Sequence, residues 1–309
     1  MSQAAAPPGG SPRQALAAGI GCYTIWGLMP LLFIAMGRAG ASPWEILSQR
    51  VLWSLPWAGA LVLLAGQGRQ VLGVLRRPRV LATLAATTLL ITANWATYVW
   101  AVNNGRNLEA SLGYYINPLL AMAAGALIFR ERITRLGWCA IGLASLGVVL
   151  QTLALGHPPY VSLVLALAFC GYGILRKQVD ADAQTGLFIE CALLVLPGLA
   201  LQFWLARQGH VLFGRTFGST LLMATAGPMT VIPLALFSWA ARRLPFSTVG
   251  FLQFIGPTIG FGVGLAMHEP MTALRAVSFV FIWAGALVFI LGAWQAARTV
   301  PEAAVQSAA

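Results

Sequence analysis

The chain has 309 residues, of which 59% are hydrophobic and only 9% charged; a soluble globule is normally about 45–50% apolar, so a soluble fold is excluded. The net charge of +11 is spread over short segments between apolar runs, which sets nucleic-acid binding aside and suits loops that face anionic lipid. The four cysteines and three histidines form no metal-ligand or redox spacing, and no phosphate-cradling loop is present, so neither an enzyme active site nor a cofactor is expected.

A helix needs about 20 mostly apolar residues to cross the hydrocarbon core. After a Pro/Gly/Ala-rich start whose residues 1–13 read as a disordered tail, ten such runs follow: 14–37, 44–65, 79–102, 108–129, 134–153, 160–175, 185–206, 219–240, 247–267 and 272–295, with 296–309 as a second tail. The first run holds Cys22 after Gly-Ile-Gly, loosely like a lipoprotein processing site. The apolar stretch before it is too short, and hydrophobicity continues to Met36, so the run is predicted to be a retained span. Cys22, Cys139, Cys170 and Cys191 all fall in spans and read as small buried packing residues.

Lys and Arg in short loops stay cytoplasmic. With the amino terminus inside, the inner segments hold thirteen basic residues and the outer ones five, with Arg50 inside a span completing the nineteen. Both termini are therefore expected in the cytoplasm.

The segment EASLGYYINPLLAMAAGALIFRE from Glu109 has a weak but ordered counterpart in FSTVGFLQFIGPTIGFGVGLAMHE from Phe246, with Gly113 against Gly250, Pro118 near Pro257 and Glu131 against Glu269. Five spans per half is an odd number, so the second half enters the membrane the opposite way round. The expected architecture is an all-α membrane protein of ten transmembrane helices as two inverted five-helix repeats, 14–153 and 154–295, with a site near the midplane between them. The Gly-to-Pro interruption in the fourth and ninth spans points to that site or merely kinks two helices.

WATYVWAVNNGRNLEASLGYYINP from Trp95, EILSQRVLWS from Glu45, GILRKQ from Gly173, GLFIECALLVLP from Gly186 and ARRLPFSTVGFLQFIGPT from Ala241 together resemble the RarD branch of the EamA-type drug/metabolite transporter superfamily. The resemblance implies helices one to four and six to nine around a central cavity, helices five and ten at the periphery, and an inner-membrane permease in a branch usually labelled for chloramphenicol sensitivity. Members of that branch often carry His-Arg in the second helix. This chain has Gln49-Arg50, so a proton role for a histidine there does not transfer.

Charged residues inside spans cost roughly 2.5–3.5 kcal/mol at a helix centre and so face protein or water. Arg50 lies about 9 Å along the second helix. Two readings are open for it: an ion pair with Glu109, preferred over Glu45 on its own helix, or snorkelling outward. Glu190 sits at similar depth from the other side, either as an unpaired proton carrier or in a gating pair with Arg176 or Lys177. Glu45, Arg50, Glu109 and Glu190 are thus the expected gating or coupling residues. Asn103, Asn104, Arg106 and Asn107 form an outer turn, with Glu109 at a helix amino end where the dipole stabilises an anion. Asn94, Trp95, Tyr114, Asn117, Gln253, Trp26 and Tyr172 are the expected substrate-binding residues, amides and aromatics that could hold an organic solute. For the amides the alternative is interhelical hydrogen bonding. Trp100 reads as part of the interfacial belt. Gly142, Gly147, Gly285 and Gly292 on helices five and ten permit close packing in a homodimer. A secondary transporter of small organic solutes is the function expected, against a passive channel or a regulatory membrane protein.

Overall fold

A computed structural model describes residues 11–306 apart from 105, 156, 210 and 267–272; Glu269, His210 and His268 lie outside these, as do the side chains of Asn103 and Asn107. All regular structure among them is helical: α1 (Pro12–Arg38), α2 (Pro43–Leu64), α3 (Gly68–Leu75), α4 (Pro78–Asn103), α5 (Asn107–Leu127), α6 (Arg135–Leu155), α7 (Tyr160–Gln178), α8 (Ala183–Arg207), α9 (Phe217–Ala224), α10 (Ala226–Ala241), α11 (Phe246–Leu252), α12 (Ile255–Ala266) and α13 (Ala273–Gln306). Seven stretches are long and apolar enough to cross a bilayer, with Phe217–Ala241 counted as one, and Leu112–Leu127 and Ala276–Gly292 are shorter apolar helices. With the broken pair α11–α12 these match the ten expected spans.

Local chemistry sets the ends. Ser11 and Gln14 form a capping box at α1, Ser42 caps α2 through Glu45 N–H at 3.1 Å, and Pro12 and Pro43 occupy the first helical position, where the missing N–H costs nothing. The α5 end is closed by Arg130 at φ 53°, a left-handed residue that lets Glu131 N–H reach the Gly125 carbonyl at 3.0 Å. The loop after α2 contains an element not expected from the sequence: α3, a short helix that buries Val71 and Val74 while leaving Leu72 exposed.

Pro118 is carried within a continuous α5, whereas the ninth span breaks at Gln253–Phe254, ahead of Gly256-Pro257. Proline cannot donate to the carbonyl four residues earlier, and here that residue is Gln253 itself.

The helices pair in a definite pattern: α6 with α13, α2 with α8, α5 with α11, α7 with both α4 and α5, α1 with both α10 and α12, and α4 with α8 as α10 with α2. Replacing each span by the one five further on maps these pairings onto themselves. Gly147 sits against the Ser278 carbonyl, Gly285 against that of Ala140 and Gly292 against Leu136. These three glycines thus serve the seam between α6 and α13 within one chain, and Gly142 alone of the four has nothing near it. Cys22, Cys170 and Cys191 are buried, but Cys139 is exposed on α6, contrary to the expectation for it.

Candidate functional site

Two groups of buried polar side chains occupy the bundle, one toward the end where Glu45 begins α2, the other toward the end where Lys177 closes α7. In the first, the Arg50 guanidinium lies 4.5 Å from the Trp95 ring centroid and 5.2 Å from that of Phe33, and its Nε donates to Thr230 Oγ1 at 3.1 Å. The phenols of Tyr98 and Tyr114 lie within electrostatic reach of its charge, their rings 5.9 Å apart. Tyr114 is 44% exposed.

The expected Arg50–Glu109 pair is not formed. Glu109 is engaged locally instead: Oε1 is 3.4 Å from Arg106 Nη1 and 4.0 Å from His157 Nε2, and Oε2 accepts from Val161 N–H at 3.4 Å. The turn before α5 supplies Arg106, and the α6–α7 loop and the start of α7 bring His157 and Val161 to Glu109, while Arg50 turns toward α4 and α10. Glu45, fully buried, is also spoken for: Oε1 accepts from the Leu212 and Phe213 amides at 2.7 and 2.8 Å, fastening the loop after α8.

In the second group Glu190 accepts from Thr87 Oγ1 at 2.5 Å and Tyr172 Oη at 3.3 Å, and Arg176 Nη1 stands 3.7 Å away. Of the two readings of Glu190, the structure has the ion pair, and with Arg176 rather than Lys177. Arg176 is completely buried; its Nε donates to Ser238 Oγ at 3.1 Å and its Nη2 to the Ala183 carbonyl at 2.9 Å. Gly186 makes this possible, since a Cβ there would run into Nη1 and lie 2.9 Å from Cζ. Lys177 Nζ donates to the Ala241 and Leu244 carbonyls at 2.8 and 2.6 Å, closing the end of α10. In the turn that follows, burial is the main cause that pulls Arg242 below the usual arginine value, and Asp182 at 3.9 Å opposes it.

A narrow cavity of about 10 Å³ lies between the two groups, reaching Glu190 itself on one side and the partners of Arg50 on the other. Trp95 and Thr230, which touch Arg50, line it together with Val51, Ser54, Tyr172 and Glu190. Beside it Tyr23, Trp26, Phe169, Tyr172 and Phe237 form a connected aromatic cluster with centroids 5.3–6.5 Å apart. Trp95 and Tyr172 therefore line the pocket and Trp26 packs in the cluster beside it. Asn94 does neither: it is buried and donates to the Leu165 carbonyl at 2.8 Å, the interhelical alternative, because its position faces α7. Asn117 Oδ1 and Gln253 Oε1 are buried without a hydrogen-bond partner among the described residues. Trp100 is 43% exposed with Arg106 over its ring. Sequence reasoning missed Thr87, Thr230, Ser238 and the role of Gly186. The signal available was a hydroxyl at each of three positions inside otherwise apolar spans.

Ten apolar spans around a charge-flanked pocket define a multi-pass membrane protein. The EamA-like transporter family matches residues 14–153. The chain is 41% identical to Protein RarD of Streptomyces exfoliatus over 93% of its own length and 90% of that protein. It is 43% identical to the Pseudomonas aeruginosa protein named Uncharacterized transporter PA0485, covering 94% and 97% of the two chains, and 36% identical to Protein RarD of Escherichia coli, covering 91% and 95%. One solved structure, titled only as the crystal structure of a protein, matches with a TM-score of 0.69 over 89% of this chain and 96% of that one; at 17% identity this is a likeness of fold. The chain belongs to the RarD branch of the EamA-like drug/metabolite transporter superfamily, a transporter family rather than an enzyme family.

Proposed function

We propose that the protein is a secondary transporter of small organic metabolites or drugs in the bacterial inner membrane, with both termini cytoplasmic, working by alternating access between two inverted five-helix halves. The observation that carries this reading is the narrow pocket lined by Trp95, Thr230, Tyr172 and Glu190, with Arg50 against Trp95 and Thr230 on one side and the buried Glu190–Arg176 pair on the other. A solute entering past Tyr114 meets Arg50, Trp95 and Thr230. To leave at the other end it must part Tyr172 and the Glu190–Arg176 pair, which makes that pair the gate. The helix pairing, unchanged when the halves are exchanged, gives each gate movement a counterpart at the opposite end.

The test is an efflux and uptake screen of small metabolites and amphipathic drugs in cells lacking or overproducing the protein, with an imposed proton gradient. Chloramphenicol belongs in the panel because a Pseudomonas aeruginosa relative, 28% identical, is named Chloramphenicol-sensitive protein RarD. Saturable, gradient-dependent flux supports the proposal; non-saturable flux indicates a channel, and absence of flux at adequate expression indicates a regulatory role.

A further inference from the structure

Six acidic side chains are described, those of Glu269 and Glu302 lying outside, and each of the six already has an assignment. Glu45 holds the Leu212 and Phe213 amides, Glu109 has Arg106, Glu131 accepts from the Phe246 and Ser247 amides, Asp180 has Arg77, Asp182 has Arg242, and Glu190 has Arg176. Arg50 is left over. It is 8% exposed, enters no ion pair among the described residues, and has one side-chain hydrogen bond among them, from Nε to Thr230. A buried charge without a countercharge is costly, so such residues persist where a ligand or water-filled path supplies what the protein does not.

The surroundings limit what that ligand is. The guanidinium is fixed in plane by Trp95, Phe33 and Thr230, leaving its paired Nη groups to meet a planar anion in the two-point manner that suits a carboxylate. Around it stand aromatic faces, and beyond Trp95 and Thr230 the pocket wall is mostly apolar, with Val51, Ile91 and Leu194. The phenols of Tyr98 and Tyr114, their rings 5.9 Å apart, add donors near the charge. We infer that Arg50 is the anion receptor of the transport site and that the solute carried is a small organic monoanion, a carboxylate on an apolar or aromatic body. The inference rests on the transporter reading above and names its substrate class.

The experiment measures equilibrium binding of benzoate, phenylacetate and indole-3-acetate to the purified full chain in uncharged detergent, each against its uncharged amide. The carboxylates are expected to bind at least about tenfold more tightly than the amides, the ratio given by exchanging a neutral for a charge-assisted hydrogen bond. Arg50→Gln should erase that ratio and Arg50→Lys should restore part of it, while Arg106→Gln, at the exposed turn, should leave it intact. Equal binding of acid and amide overturns the inference from the wild-type chain alone, whether or not Arg50→Gln folds. So does failure of all three acids to bind, and so does an unchanged ratio in a folded Arg50→Gln. None of these results touches the transporter reading, which stands if an uncharged or cationic compound shows saturable flux in the screen and falls if no compound does.

Discussion

Gly186→Ala tests the inner pair most sharply, because one methyl group is placed where the structure has no room for it. The added Cβ would overlap Arg176 Nη1 and come within 2.9 Å of Cζ. A flexible side chain would ordinarily swing away, but Arg176 is fully buried and anchored through Nε to Ser238 and through Nη2 to the Ala183 carbonyl. Making room forces the guanidinium off at least one anchor and away from Glu190. Overpacking costs about 1–3 kcal/mol and loss of one hydrogen bond from a charged donor about 1.5–3 kcal/mol, so the substitution should destabilise the protein by about 2.5–6 kcal/mol. The assay is a denaturant titration of the purified chain in mixed micelles, run on Gly186→Ala, Arg176→Met and the double variant. The methyl group and the guanidinium compete for one space, so the double variant should be clearly less destabilised than the sum of the singles. A loss below about 0.5 kcal/mol for Gly186→Ala, or strict additivity, would refute the reasoning.

Further outcomes follow from the same contacts. Glu190→Gln keeps its hydrogen bonds to Thr87 and Tyr172 but loses the charge facing Arg176. Flux should change in rate while its dependence on an imposed proton gradient persists, and a variant that binds substrate but ignores the gradient would instead make Glu190 the proton carrier. Glu45→Gln weakens the acceptor of the Leu212 and Phe213 amides, so hydrogen exchange at those two amides should rise while exchange in α8 stays as it was. Glu131→Ala leaves the Phe246 and Ser247 amides without their acceptor at the start of α11; a loss of about 1 kcal/mol and faster exchange confined to that turn are expected.

The spans were legible because a bilayer demands long apolar helices and the chain has room for little else. What escaped were contacts between residues far apart in sequence. Arg50 and Glu109 look like partners when only depth is considered, but depth carries no angle, and the amides that occupy Glu45 lie in a loop 167 and 168 residues away. The pairing of Glu190 was legible as a choice between Arg176 and Lys177, one turn or less apart. The backbone decided it by pointing Arg176 at the cleft left by Gly186 and Lys177 at the carbonyls that end α10. The ninth-span break was signalled by Gly256-Pro257, yet it lies earlier, at Gln253, because proline acts on the carbonyl one turn behind it. The α3 helix was hidden by its arginine neighbours, which made the segment look like plain loop. Asn94 was ambiguous from the start, since an amide among aromatics serves a neighbouring helix as readily as a solute.

Glu45 and Glu131 have a consequence for biosynthesis. Each belongs to the first half of the chain, and each accepts from backbone amides of the second half. While the ribosome is still completing the chain, the first half therefore sits in the bilayer with two carboxylates whose partners have not been made, and only the loop after the seventh span and the start of the ninth satisfy them. Neither half is then a finished product by itself, and two fragments made separately, divided in the loop between α6 and α7, would complete one another's hydrogen bonding on meeting in the same membrane.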